Sequence, residues 1–164
     1  MVNGITECYK NSIMQIKTTI SQNIFRIFLG LAMFIIGIGH LTYSRIEFQA
    51  QVPIWLTSDK NLINFIIIVS GIIEIIFGVL MVRGGKLKVK TGVYLAIFYI
   101  LIFPGNINQY INQIDAFNLN TDTKRLVRLF FQPLLVLWSL WSSGGLKYLR
   151  KQKINFIKIV LFRF

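Results

Sequence analysis

Six polar side chains interrupt the long apolar runs of this sequence, and they are the groups that could do chemistry. They are two arginines, one histidine, one glutamate, one asparagine and one glutamine: Arg26, His40, Glu74, Asn106, Arg128 and Gln132. A polar group inside an apolar segment is costly unless it is paired, protonated or hydrated, so it marks a functional position by default. The chemistry open to this set is ion pairing, proton handling and hydrogen bonding to a small ligand.

The counts of cysteine and histidine exclude several kinds of redox and metal site. With one cysteine, Cys8, the chain cannot form an intrachain disulfide framework, a CxxC dithiol or a cysteine-held iron–sulfur site. With one histidine, His40, it cannot build a multi-histidine zinc site or a bis-histidine haem site by itself. We therefore predict no metal site, and the sequence designates no catalytic residue.

The composition places these groups in a membrane protein. Hydrophobic residues make up 54% of the 164 positions and charged residues 15%, against about 25% charged in a typical soluble domain. The mean hydropathy is +0.61. So few charged residues cannot cover the surface of a soluble enzyme, and so many apolar residues exclude a disordered chain.

Four apolar runs are long enough to cross a bilayer, which takes roughly 20 residues per helix. They cover residues 23–41, 61–82, about 89–110 and about 126–143. In lipid the backbone must satisfy its own hydrogen bonds, so helices are favoured despite the many isoleucines. The predicted fold is all-α, a transmembrane four-helix bundle. The third run also fits a re-entrant or interfacial segment.

The basic residues predict the domain limits and the orientation. Twelve lie on one side of the four runs, in residues 1–22, in the turn 83–90 and in the tail 144–164, and four lie on the other side. The positive-inside rule then places both termini in the cytoplasm. The predicted domains are an N-terminal cytoplasmic segment (1–22), a membrane domain (23–143) and a basic amphipathic tail (144–164). The tail fits either an anchor in the headgroup layer or a frayed, lipid-adsorbed segment.

The net charge of +12 is explained by this topology and by attraction to anionic lipids. No segment resembles a nucleic-acid reading module, so we predict membrane lipids as partners and no nucleic acid.

Small and polar residues recur on one face of each predicted helix. Steps of three and four residues connect Arg26 to His40 in the first helix and Glu74 to its flanking glycines in the second. The same steps connect Gly92 to Asn106 in the third helix and Arg128 to Ser142 in the fourth. Residues at this spacing share a face, so the four faces should meet in an interior more polar than the lipid-facing surface.

The depth of the polar groups along the helices predicts two clusters. Arg26 and Glu74 are expected to form an intramembrane ion pair, since a bare charge there costs roughly 2.5–3.5 kcal/mol. The residues nearer the other end are expected to form a ligand-binding vestibule with a loop tryptophan as its lid: His40, Asn106, Arg128, Gln132 and Trp55. The alternatives are a purely structural ion pair, an internally satisfied His40, and an Arg128 that snorkels to the headgroups.

Five segments carry a resemblance to a known family. They read RIFLGLAMFIIGIGHL (26–41), VPIWL (52–56), SGIIEIIFGVLMV (70–82), FPGNINQYI (103–111) and RLFFQPLLVLWSLW (128–141). In this order they resemble the DoxX-like family of small bacterial membrane proteins. The resemblance places the same six polar residues at the polar positions of the family pattern.

The resemblance implies a function in membrane redox chemistry, because similar proteins include a subunit of thiosulfate:quinone oxidoreductase. On that hypothesis the chain is a quinone-linked accessory subunit, with a quinone as its cofactor and a redox protein of the membrane as its partner. Two alternatives stay open: a small-molecule or proton transporter module, in which a homo-oligomer is expected, and a non-enzymatic membrane scaffold or assembly protein. The sequence leaves open whether the chain is an enzyme.

Overall fold

A computed structural model describes residues 16–161, with side chains through residue 154, and these residues form six α-helices without a strand. The helices are α1 (Ile20–Leu41), α2 (Arg45–Gln49), α3 (Lys60–Arg83), α4 (Lys88–Ile111), α5 (Asp122–Ser143) and α6 (Gly145–Leu161). A 3-10 turn (Gly85–Leu87) precedes α4. Most of the predicted N-terminal segment and the last three residues of the tail lie outside the described residues, as does the side chain of Lys158.

Four helices are long and apolar enough to cross a membrane: α1, α3, α4 with its preceding turn, and α5. The prediction of an all-α four-helix bundle is therefore confirmed, and the chain is a multi-pass membrane protein. The third run forms one continuous helix of 24 residues despite Pro104, which contradicts the re-entrant alternative. Each spanning helix starts a little before its predicted limit, and side chains cap the backbone at the starts of α1, α3 and α5 but not at the start of α4. Asp59, for example, accepts from the N–H of Asn61 at 2.9 Å.

The two ends of the bundle differ in charge. The end at which α1 and α4 begin and α3 and α5 end carries most of the exposed lysines and arginines and is called here the basic end. The opposite end, called the loop end, carries the connections 42–59 and 112–121. Four of the five described carboxylates lie at the loop end, and the fifth, Glu74, lies within α3.

The helices associate mainly as two antiparallel pairs, α1 with α3 and α4 with α5. The first pair is close because glycines face each other across it. A Cβ added to Gly78 would lie 2.7 Å from the backbone nitrogen of Phe34 and 2.8 Å from the carbonyl oxygen of Gly30. In the second pair, Ser139 donates a hydrogen bond to the carbonyl of Gly92 at 2.8 Å. Small residues at both interfaces let the backbones approach, as is common in membrane bundles.

The faces defined by the three- and four-residue steps point into the bundle. Arg26, Gly30, His40, Glu74 and Gln132 are all buried. The opposite faces expose isoleucine, leucine and phenylalanine to lipid. The two pairs contact each other less extensively than the helices within each pair, and the space between the pairs is where the polar side chains collect.

Replacing Gly78 with alanine is expected to lower the free energy of unfolding by about 1–3 kcal/mol, because the new methyl group would push α1 and α3 apart. The control is Val79→Ala, which trims the next residue on the exposed face of α3. Unfolding by a denaturing detergent in mixed micelles measures both. Equal stability of the two variants would contradict the close packing of α1 on α3.

Candidate ligand-binding cavity

A cavity of about 580 Å³ lies between the two helix pairs, toward the loop end. Its polar lining includes four of the predicted vestibule residues together with Glu74: His40, Glu74, Asn106, Arg128 and Gln132. Its remaining walls are mostly apolar and come from α1, α4 and α5. The volume lies within the range of about 300–1,000 Å³ that is usual for small-molecule sites.

Trp55 does not belong to this cavity. It is 72% exposed and lines a second cavity of about 310 Å³ on the other side of His40 and Glu74. The expectation that Trp55 closes the vestibule is therefore corrected: Phe48 of α2 and Gln51 lie at that place and line both cavities. The aromatic ring of Phe48 packs on His40 with ring centroids 3.4 Å apart.

His40 and Glu74 form the charged centre of the site. Nε2 of His40 lies 3.4 Å from Oε2 of Glu74, and both side chains are more than nine-tenths buried. On the other edge of the ring, Nδ1 lies 2.9 Å from the hydroxyl oxygen of Ser70. That hydroxyl donates its own hydrogen to the carbonyl of Ile67, so it can only accept from His40. We therefore assign a hydrogen to Nδ1 from this hydrogen-bond pattern.

This tautomer limits the protonation states that Nε2 of His40 and the carboxyl group of Glu74 can adopt together. With Nδ1 protonated, a neutral ring presents a lone pair at Nε2, and the carboxyl group facing it must then be protonated. A charged ring presents an N–H at Nε2 and faces a carboxylate. In either state the two groups together hold one proton besides the one on Nδ1, and the pair as a whole is neutral. A single shared proton satisfies the requirement that a buried carboxyl group be neutralised.

The predicted ion pair between Arg26 and Glu74 is not formed. Nη1 of Arg26 instead donates to the carbonyl of Val82 at 3.3 Å, and Val82 lies about 12 Å along α3 from Glu74. The reason is that helical side chains lean toward the N-terminus of their own helix. Because α1 and α3 are antiparallel, Arg26 and Glu74 lean apart, whereas His40 and Glu74 lean together.

The side chain of Arg26 packs against the end of α3, at the basic end of the bundle. Its guanidinium lies at the C-terminus of α3, where backbone carbonyls lack helical partners and a positive charge is favourable. It also packs against Gly84, which has a φ of +68°. A Cβ at Gly84 would approach the guanidinium to 2.8 Å, so glycine serves both the backbone angle and this contact.

Asn106 and Gln132 join α4 to α5 through a chain of hydrogen bonds. The side-chain nitrogen of Asn106 donates to the side-chain oxygen of Gln132 at 2.9 Å. The side-chain nitrogen of Gln132 donates to the carbonyl of Tyr99 at 2.8 Å. Each amide has a second N–H beyond these bonds, which gives the cavity donors that are fixed in position.

Arg128 lies where the two loops of the loop end meet. Its guanidinium is 4.7 Å from the ring centroid of Phe117. When the side-chain amide of Gln51 is oriented with its oxygen toward Arg128, the guanidinium also donates to that oxygen. Phe117 packs edge-on against Phe48 at 4.6 Å, and its backbone N–H donates to Glu47 at 2.7 Å. The connections 42–59 and 112–121 therefore cover this end of the cavity.

Sequence reasoning missed Ser70, Gln51, Phe48 and Phe117. Ser70 had a signal, because it lies one helical turn before Glu74 and starts the Ser-Gly-x-x-Glu segment. The other three lie in a short helix or in loops, where no periodic pattern indicates which side chain points inward.

Comparison with known proteins finds one family. The sequence model of a family described as "Domain of unknown function (DUF8561)" matches residues 29–143, which include the whole cavity apart from Phe28. No curated protein and no solved structure matches the chain significantly.

The pairing of Glu74 can be tested with double-mutant cycles on unfolding free energy. His40→Gln and Glu74→Gln should show a coupling of about 1–3 kcal/mol, because the two side chains share a proton. Arg26→Gln and Glu74→Gln should be additive within about 0.5 kcal/mol, because these side chains are not in contact. Coupling of Glu74 to Arg26 rather than to His40 would overturn the assignment.

Proposed function

We propose a function from the cavity itself, because the chain belongs to the DUF8561 family and that description names no activity. The proposal is that this multi-pass membrane protein binds a quinone between its helix pairs and acts as an accessory subunit of a membrane redox complex. The observation that carries it is a single cavity that joins an apolar, lipid-facing rim to fixed hydrogen-bond donors and a shared proton.

The rim provides a route for a hydrophobic ligand. Phe28, Ile36 and Phe131 line the cavity and are also exposed on the lipid-facing surface. A ligand dissolved in the bilayer could therefore enter sideways between α1 and α5. Leu29, Leu135 and Trp138 continue the apolar wall, which suits the ring and chain of a quinone rather than a water-soluble metabolite.

The polar lining fits the oxygens of a quinone ring. Those oxygens accept hydrogen bonds, and the unused N–H groups of Asn106, Gln132 and Arg128 can donate to them. Oε2 of Glu74 is buried, lies 3.4 Å from Nε2 of His40 and has no hydrogen-bond partner among the described residues, so this carboxyl group is free to bond to a ligand oxygen and to exchange with it the proton that His40 and Glu74 hold. A bound quinone supplies two-electron chemistry coupled to proton uptake and release.

The electrons must come from another protein on this hypothesis. With one cysteine and one histidine, the chain cannot build a metal or dithiol carrier alone. A redox partner in the same membrane is therefore part of the proposal. The resemblance to DoxX-like proteins supports it, since it implies the same class of complex.

We also propose that the basic end faces the cytoplasm of a bacterial cell and that the cavity lies in the outer half of its inner membrane. The excess of lysine and arginine at the basic end supports this orientation. The four loop-end carboxylates do not oppose it, because acidic residues contribute little to topology.

A second candidate is a proton-coupled transport module, and one observation favours it. His40 and Glu74 line both cavities, so their shared proton lies between two compartments of about 580 and 310 Å³. Proton flux into proteoliposomes that falls with Glu74→Gln would support transport. A scaffold would show neither proton flux nor quinone binding.

Quinone binding is expected to quench the fluorescence of Trp138, which lines the cavity. Trp55→Phe and Trp141→Phe leave Trp138 as the only tryptophan, and the purified protein is titrated with a short-chain quinone. Gln132→Leu should weaken binding about tenfold or more, because it removes a buried donor. Lys60→Gln, at an exposed site outside the cavity, is the control. Unquenched Trp138 at saturating quinone would refute the proposal.

The orientation is tested by cysteine labelling of intact cells. In a Cys8→Ser background, Asn120→Cys at the loop end should react with a membrane-impermeant maleimide, and Lys86→Cys at the basic end should react only after lysis. Both positions are exposed. The opposite labelling pattern would show that the basic end faces outward.

A further inference from the structure

The carboxylates of the loop end are all engaged away from the cavity. Asp115 and Asp122 both pair with Arg125. Glu47 accepts from the backbone N–H of Phe117 at 2.7 Å, and Asp59 caps α3. Among the described residues, no loop-end carboxylate lines the cavity, and none forms an ion pair with a cation that does.

Two such cations line the cavity, Arg128 and Lys124. Arg128 contacts the neutral side chains of Gln51 and Phe117. Lys124 donates to a neutral carbonyl of Asn118 at 3.2 Å and to the side-chain oxygen of Asn120 at 2.9 Å. Because His40 and Glu74 are neutral as a pair, the lining keeps two positive charges that have no ion-pair partner among the described residues.

The two cations and the apolar wall have a defined arrangement. Arg128 and Lys124 are four residues apart, so they lie on one face of α5. Trp138 lies ten residues further along α5, about 15 Å away, and stacks on Phe28 at the far wall with ring centroids 5.9 Å apart. The cavity is therefore positive at its loop end and apolar along its length.

We propose that this cavity binds a single-chain anionic amphiphile. The carboxylate or phosphate head group lies against Arg128 and Lys124, and the alkyl chain runs along α5 toward Trp138. A guanidinium suits this head group because its planar N–H groups match two acceptor oxygens at once. A neutral quinone would leave both cations without an ion-pair partner, so this ligand class goes beyond the proposed function and competes with a quinone for the same space.

The test uses the protein with Trp138 as its only tryptophan, in nanodiscs of zwitterionic lipid. The probes are dodecanoate, dodecyl phosphate and dodecanol, each with a terminal bromine that quenches tryptophan on contact. We expect half-maximal quenching by at least one anion at about a tenfold lower concentration than by the alcohol, since hydrogen bonds to charged groups are the stronger ones. The anion that quenches best identifies the head group as carboxylate or phosphate.

Matched variants separate the cavity charge from the general charge of the protein. Arg128→Gln should remove the preference for the anion, and Arg128→Lys should retain part of it. Lys60→Gln makes the same change in charge at the loop end, outside the cavity, and should leave the preference intact. Because both Arg128 variants are compared by the ratio of anion to alcohol, a variant with lowered stability is still informative.

Two results would overturn this inference: equal quenching by alcohol and anions in the unmodified cavity, or an anion preference that persists in Arg128→Gln. Quinone quenching without anion preference would refute this inference and leave the proposed function standing. Anion binding without quinone binding would refute the proposed function and leave this inference standing.

Discussion

The buried carboxyl group of Glu74 is the constraint on which the site depends. An isolated carboxylate at this depth in a bilayer is costly, and the structure satisfies it with the single histidine of the chain. Ser70 holds the ring of His40, the ring faces Glu74, and Phe48 covers the ring from the loop end. The walls of both cavities are built around this one neutral pair.

The helix arrangement explains why the cavity exists where it does. Glycines bring α1 against α3, and small residues bring α4 against α5, so each pair is close. The contact between the pairs is less extensive, and polar side chains fill part of the gap. The amide chain of Asn106 and Gln132 and the cations at the loop end are part of this polar lining, and apolar side chains form the rest of the wall.

The sequence predicts those parts of the structure that lipid dictates. The four spans, their helical form and the inward faces all follow from the need to satisfy the backbone and to keep polar groups out of hydrocarbon.

The sequence predicts the contacts between side chains less well. Spacing along the chain gives the depth of a residue within its helix, but not the direction in which its side chain leans. Arg26 lies against Val82, about 12 Å along α3 from Glu74, and the two side chains also lean apart. Phe48, Gln51 and Phe117 lie outside the long helices, where periodicity carries no information. The prediction for Trp55 rested only on its position in the first loop, and the structure places this side chain in the smaller, second cavity.

Because His40 is the only histidine, nitrogen NMR of the protein in lipid tests the central claim without ambiguity. The account predicts that Nδ1 carries a hydrogen throughout the pH range in which the protein is folded, and that Nε2 shows a dipolar contact to the carboxyl carbon of Glu74. An unprotonated Nδ1, or the absence of a contact between Nε2 and Glu74, would contradict the shared proton.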